Sequence, residues 1–183
     1  MEQDRRSGIM AITIDKPGPG DYAPYFSGYI DDAPDGSLLD VLRSQSGEIK
    51  QLLASISGER SLHRYAPGKW SIREVLGHMI DTERIFAYRA LRIARNDQTP
   101  LPGFEQDDYV AAGAFDLQPW NDLVAAFELV RLATLDLFSS LSPEAWKRKG
   151  TVSQTAVSAL ALAWIICGHQ QHHVQILRTK YLA

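Results

Sequence analysis

Five histidines stand in the chain, at positions 63, 78, 169, 172 and 173, and three of them fall in the run Gly168-His-Gln-Gln-His-His173. On a helix, His169 and His173 lie one turn apart and within about 40° of each other, so one metal ion could accept both imidazoles. His172 competes for the second place, at about 60° from His169. This is not the metalloprotease helix H-E-x-x-H, because Gln170 stands where that motif puts its general base, and an amide cannot take the proton. His78 sits in Gly77-His-Met-Ile-Asp-Thr-Glu83, with Leu76, Met79, Ile80 and Phe86 around it, and is expected at or near a core. Neutral imidazole suits zinc and nickel, and burial keeps it neutral. Three histidines with open positions is the arrangement of a catalytic rather than a structural metal. Spacing alone also permits a satisfied core histidine at position 78 and a polar seam on the fourth helix.

The neighbouring polar residues divide by helical position. Asp81, three residues after His78, flanks the same face and could hold a ligand histidine or move a proton; His172 is the other candidate for that work. Glu83 points away, toward Arg84 or an arginine of another helix, and Glu74 is engaged in a cap. Arg84, Arg89, Arg92 and Arg95 read as a solvated or salt-bridged face, with an anion site at the mouth of the fold as the alternative. Cys167, about 200° around the helix from His169, reads as a small core residue. His63 has no evident partner.

Four segments of helical period must position these groups: about 38–56, 72–94, 121–141 and 159–181. Ser71 and Glu74 form a capping box before the second, with Trp70 placed to staple onto Val75. Ser37, Ser142 before Pro143, and Ser158 are expected N-caps, the second opening a brief helix through Trp146. Residues 1–20, ending in Lys16-Pro-Gly-Pro-Gly20, read as a flexible tail with a short extended piece at Ile12 to Ile14. The aromatic residues from Tyr22 to Tyr29 predict a helical turn or an apolar strap. Residues 96–116 read as a long loop or lid between the second and third helices. The expected fold is an all-α four-helix bundle over residues 21–183, with its site built in the core from facing helices.

Composition sets the remaining bounds. The 183 residues are 45% hydrophobic and 22% charged, ordinary for one globular domain. A single cysteine excludes a disulfide framework and suits a reducing setting. A net charge of −3 provides no basic surface for nucleic acid, and no apolar run approaches a membrane span. The charged start without a following apolar run predicts no secretory leader, hence a cytoplasmic protein.

Tyr65-Ala-Pro-Gly-Lys-Trp-Ser-Ile-Arg-Glu-Val-Leu-Gly-His78 followed by Asp81-Thr-Glu-Arg84 resembles the first signature of the DinB-like (DinB/YfiT) superfamily. Leu101-Pro-Gly-Phe104 and Gly168-His-Gln-Gln-His-His173 resemble its later signatures in the same order, and the likeness covers roughly residues 22–182. The resemblance implies a four-helix bundle, commonly a homodimer, with a divalent metal on His78, His169 and His173. The family includes low-molecular-weight-thiol S-transferases, a thiol-dependent isomerase and proteins read as metal-dependent hydrolases. One expectation is therefore an enzyme that activates water or a small thiol on the metal, against a small-molecule substrate. The other is a non-catalytic, metal-binding or stress-related dimeric bundle that binds a small ligand or a partner. Open metal positions facing a cavity would favour the enzyme.

Overall fold

The computed structural model describes residues 14–183, so residues 1–13, with all but Ile14 of the extended piece expected at Ile12 to Ile14, lie outside the description. Seven helices are described: α1 (Ser27–Asp32), α2 (Leu38–Ala54), α3 (Ile72–Ala94), α4 (Gln106–Gly113), α5 (Trp120–Ser139), α6 (Pro143–Lys147) and α7 (Ala159–Ile176). A hairpin of β1 (Lys149–Val152) and β2 (Thr155–Ser158) precedes α7, which ends in a π-helical turn, Leu177–Tyr181. The four long helices form the bundle expected from the sequence. α2 and α3 each pack against both α5 and α7, so these two consecutive helices take opposite corners. Among the described residues no helix is long and apolar enough to cross a membrane.

The start signals work as their chemistry requires. Ser71 accepts from the Glu74 amide while the Glu74 carboxylate accepts from the Ser71 amide, closing the capping box. The Ser142 and Ser158 hydroxyls accept from the amides of Ala145 and Ala161. Ser37 occupies its N-cap position without a side-chain bond.

Three regions depart from the expectation. Residues 96–116 are not one loop, because they contain α4 and a 3-10 turn, Phe115–Leu117. α4 buries only Val110, so it writes no apolar period into the sequence. The hairpin lacks a turn signal: Ser153 and Gln154 take φ of 49° and 66°, where asparagine and glycine are the usual choices. The segment read as a tail is anchored from Ile14 onward. Ile14 is buried, the Trp164 indole donates to the Asp15 carbonyl, and Lys16 reaches the Ala33 carbonyl.

The apolar interior is two clusters rather than one. Leu42, Phe86, Phe138 and Trp164 belong to the first; Leu53, Met79, Phe127 and Leu177 belong to the second. Between them each bundle helix turns polar: Gln45 on α2, Thr82 and Glu83 on α3, Arg131 and Thr134 on α5, and His169, Gln170 and His173 on α7, all buried. Arg131 is fully enclosed and closes this layer. Its Nε and Nη2 donate to the two Glu83 oxygens, each at 2.9 Å, while Nη1 donates to the Leu42 carbonyl and Gln45 Oε1. Gln45 Nε2 donates in turn to the Cys167 carbonyl.

Arg131→Met should strand the Glu83 carboxylate in the core and cost about 3–5 kcal/mol. Adding Glu83→Gln should restore much of that loss, because no uncompensated charge then remains. Urea unfolding of the single and double variants measures both, and equal losses would show that the charge pair does not organise the layer.

Candidate metal centre

His78 projects from α3 and His169 and His173 from α7, the two helices that face each other. Glycine stands before two of the three. A Cβ on Gly168 would lie 1.7 Å from the Tyr29 carbonyl oxygen, and one on Gly77 2.3 Å from the Phe115 ring. Only a missing side chain lets α1 close on α7, and Phe115 on α3, beside the histidines.

The three rings aim the same atom at one place. His169 Nε2 is 2.9 Å from His78 Nε2 and 3.1 Å from His173 Nε2. All three side chains are buried and form a group able to hold one ion. Burial drives the His78 pKa down to about 4, with a smaller contribution from the charge of His172. His169 and His173 are lowered well below the ordinary value, again mainly by burial. Three neutral imidazoles cannot satisfy one another here. Each Nε2 is either a donor or an acceptor, so at least two of the three share a role. A cation that takes all three lone pairs removes the conflict. The spacing also fits, since nitrogens at about 2.0–2.1 Å from one ion lie about 2.9–3.4 Å apart.

The surroundings fix the rings. Thr82 Oγ1 stands 3.5 Å from His78 Nδ1, one turn along α3. The Trp70 ring lies against His78 with centroids 4.9 Å apart, and Tyr29 meets the rings of His169 and His172 at 5.5 and 5.6 Å. Sequence reading gave Trp70 a stapling role and did not single out Tyr29 or Thr82; the turn spacing of Thr82 from His78 was the available signal. Gln170 points off the cluster as its helical position predicts, donating to the Met79 carbonyl and Glu83 Oε2. Among the described residues, Gln170 Oε1 and His173 Nδ1 are buried without partners.

The other candidates fall elsewhere. Asp81 accepts from Arg84, and Glu83 pairs with Arg131 of another helix. His172 is half-buried beside His173, with ring centroids 5.2 Å apart. Cys167 is a core thiol whose pKa burial raises to about 11. His63 lies by Tyr181, apart from the cluster. His78 and His169 also reach the wall of a cavity of about 460 Å³. Its sides come from Phe26 and Tyr29 near the N-terminus, Phe86 and Arg89 of α3, Phe104, and Ser153 at the hairpin tip.

The buried imidazoles set a pH dependence. Their folded-state pKa values lie below the ordinary 6.5, so the unfolded chain takes up protons first as pH falls. Stability is complete above about 6.5 and is lost as pH falls toward about 4. Chelator-treated protein should therefore melt at a lower temperature at pH 5 than at pH 7.5. A transition temperature that rises over that interval would contradict neutral buried imidazoles.

The sequence matches the profile of the DinB superfamily over residues 42–177. A protein of Oceanobacillus iheyensis, provisionally named a metal-dependent hydrolase, is 23% identical over 143 residues, covering 74% of this chain and 79% of its own. YfiT from Bacillus subtilis, described as a four-helix bundle of unusual topology and provisionally as a metal-dependent hydrolase, superposes with a TM-score of 0.63 at 13% identity, over 89% of this chain and 91% of that one. A mycothiol-dependent maleylpyruvate isomerase superposes with a TM-score of 0.62 at 17% identity, over 75% of this chain and 58% of that larger one. These likenesses establish the shared fold, and the profile match over most of the length establishes that the chain belongs to the DinB superfamily.

Proposed function

We propose that the protein is a metal-dependent enzyme that binds one divalent ion, zinc or nickel, through Nε2 of His78, His169 and His173. The observation that carries this reading is the convergence of three buried, neutral imidazoles, two of them at the wall of a cavity. A divalent ion held there supplies Lewis acidity that activates water or a low-molecular-weight thiol, for hydrolysis or S-transfer. Thr82 orients His78 through Nδ1, while Trp70 and Tyr29 shield the rings from bulk water. Of the two proton-carrier candidates, His172 remains beside the cluster, whereas the Asp81 carboxylate is engaged by Arg84. A cavity against the histidines favours catalysis over a purely structural ion. The hydrolase names of two relatives and the thiol dependence of the isomerase support this range of chemistry.

The same reading takes the working protein to be a cytoplasmic homodimer. α5 exposes Leu129 and Leu132 at 67% and 62%, an apolar outer face suited to a second copy. Light scattering at micromolar concentration should give twice the chain mass, and Leu129→Glu with Leu132→Glu should give the single mass. A monomeric wild-type protein refutes the dimer.

Metal titration tests the site. Wild-type protein should bind one equivalent of zinc or nickel. His173→Ala should weaken retention by at least about 100-fold and His172→Ala only a few-fold, since only the former removes a donor. Loss in His172→Ala with retention in His173→Ala would reassign the pair. Absence of binding by the wild-type protein would refute the metal reading. Esters, and thiols paired with electrophiles, then provide the substrate classes for turnover of the metal-loaded protein.

A further inference from the structure

Arg89 is the arginine of its helix face that does not behave as a surface cation. Arg84 pairs with Asp81 and Arg92 with Asp97, but Arg89 is buried at 6% exposure. Among the described residues no carboxylate lies within 4.0 Å of its guanidinium. One of its five N–H donors is engaged, Nη2 with the Pro102 carbonyl at 2.7 Å. Two aromatic rings flank the group, Phe86 at 5.2 Å and Phe104 at 5.5 Å. Buried charges are ordinarily paired, and cation–π contacts offset only part of the cost of leaving water. Arg89 lines the same cavity as His78 and His169.

The position of Arg89 is built, not incidental. Leu101 donates to the Thr151 carbonyl and accepts from the Ser153 amide, which ties the segment carrying Pro102 and Phe104 to the hairpin. The hairpin turn that does this carries two non-glycine residues in the left-handed region, Ser153 and Gln154. The strained turn and the pinned segment thus form the wall that fixes the guanidinium.

We propose that Arg89 anchors the carboxylate of the substrate, which is a small monocarboxylate with an apolar or aromatic body. The planar guanidinium fork matches a carboxylate in two-point contact. Phe26, Tyr29, Phe86 and Phe104 supply apolar walls for the body. Beside Arg89 a phosphate dianion or a second carboxylate would require a second cation at that end of the cavity, and among the described residues the other charged side chain lining it is Glu105. The helix sets the length. His78, Thr82, Phe86 and Arg89 fall within about 80° of one another, and the guanidinium is drawn back over Phe86, about 12 Å along the axis from His78. The acid end and the reacting end of the substrate are therefore separated by a distance on the order of 10 Å. The assignment of the reacting end rests on the metal reading above; the anchor does not.

The test is calorimetric binding of 4-phenylbutyrate, 4-phenylbutyramide and phenyl phosphate to the zinc-loaded wild-type protein and to Arg89→Met, Arg89→Lys and His169→Ala. The acid should bind the wild-type protein at least about 10-fold more tightly than the amide, a comparison that needs no variant. Arg89→Met should lose about 10-fold or more for the acid and little for the amide, with Arg89→Lys between. His169→Ala should keep acid binding while losing metal. Equal binding of acid and amide, or no binding of the acid, overturns the proposal. So does an unchanged Arg89→Met with loss in His169→Ala, which would put the carboxylate on the metal. Tighter binding of phenyl phosphate than of the acid overturns the carboxylate class. Acid binding that depends on Arg89 in a wild-type protein holding no metal would uphold the anchor and refute the metal reading alone.

Discussion

The interior depends on one buried charge pair. Arg131 and Glu83 meet in two parallel hydrogen bonds with neither exposed, in a layer where all four bundle helices contribute polar groups. Such a pair gains its energy only if every other donor and acceptor around it is also met. Leu42, Gln45 and Gln170 bond directly to the pair, which ties α2, α3, α5 and α7 together at one level. A register slip of α3 or α5 would separate the charges in an apolar interior, and a slip of α2 or α7 would strip hydrogen bonds from them. The layer thus specifies alignment in a way that Leu and Phe contacts above and below it do not.

The histidine cluster is continuous with this layer. Gln170, the neighbour of His169 on α7, donates to the Glu83 carboxylate and the Met79 carbonyl of α3, so the contact that aligns α3 with α7 also sets the distance between their imidazoles. Burial keeps those imidazoles neutral, and neutrality is the condition for binding a cation. The glycines before His78 and His169 belong to the same design, because the elements that enclose the site approach the backbone where a side chain would stand. Loop-borne elements then complete the cavity wall: the segment around Phe104 and the hairpin tip.

Long periodic segments with explicit caps were legible in the sequence. The second helix was the clearest, since the capping box and a repeated apolar face specify its start and its inward side together. Glu83 was legible in part: its helical angle placed it toward an arginine of another helix, without saying which. α4 and the hairpin were not legible, because a helix burying one residue and strands of four residues leave no periodic signal. For Arg89 spacing leaves both a charged face and an anion site open, for a related reason. Spacing describes one helix alone, and what covers Arg89 comes from Phe104 and Pro102, which arrive from outside that helix.

The sequence by itself determined the helical class, the four bundle helices, their caps, and the imidazole pair of α7, because each is decided within a few turns of chain by local spacing and local hydrogen bonds. Its apolar neighbours made His78 a candidate third ligand, and family likeness joined it to that pair. The tertiary structure alone decided that α2 and α3 stand at opposite corners, that Arg131 is the partner of Glu83, and that Arg89 is enclosed beside a cavity. Those facts depend on contacts between residues far apart in the chain. They follow from burial of a shared interior, a property of the assembled surfaces that no single segment carries.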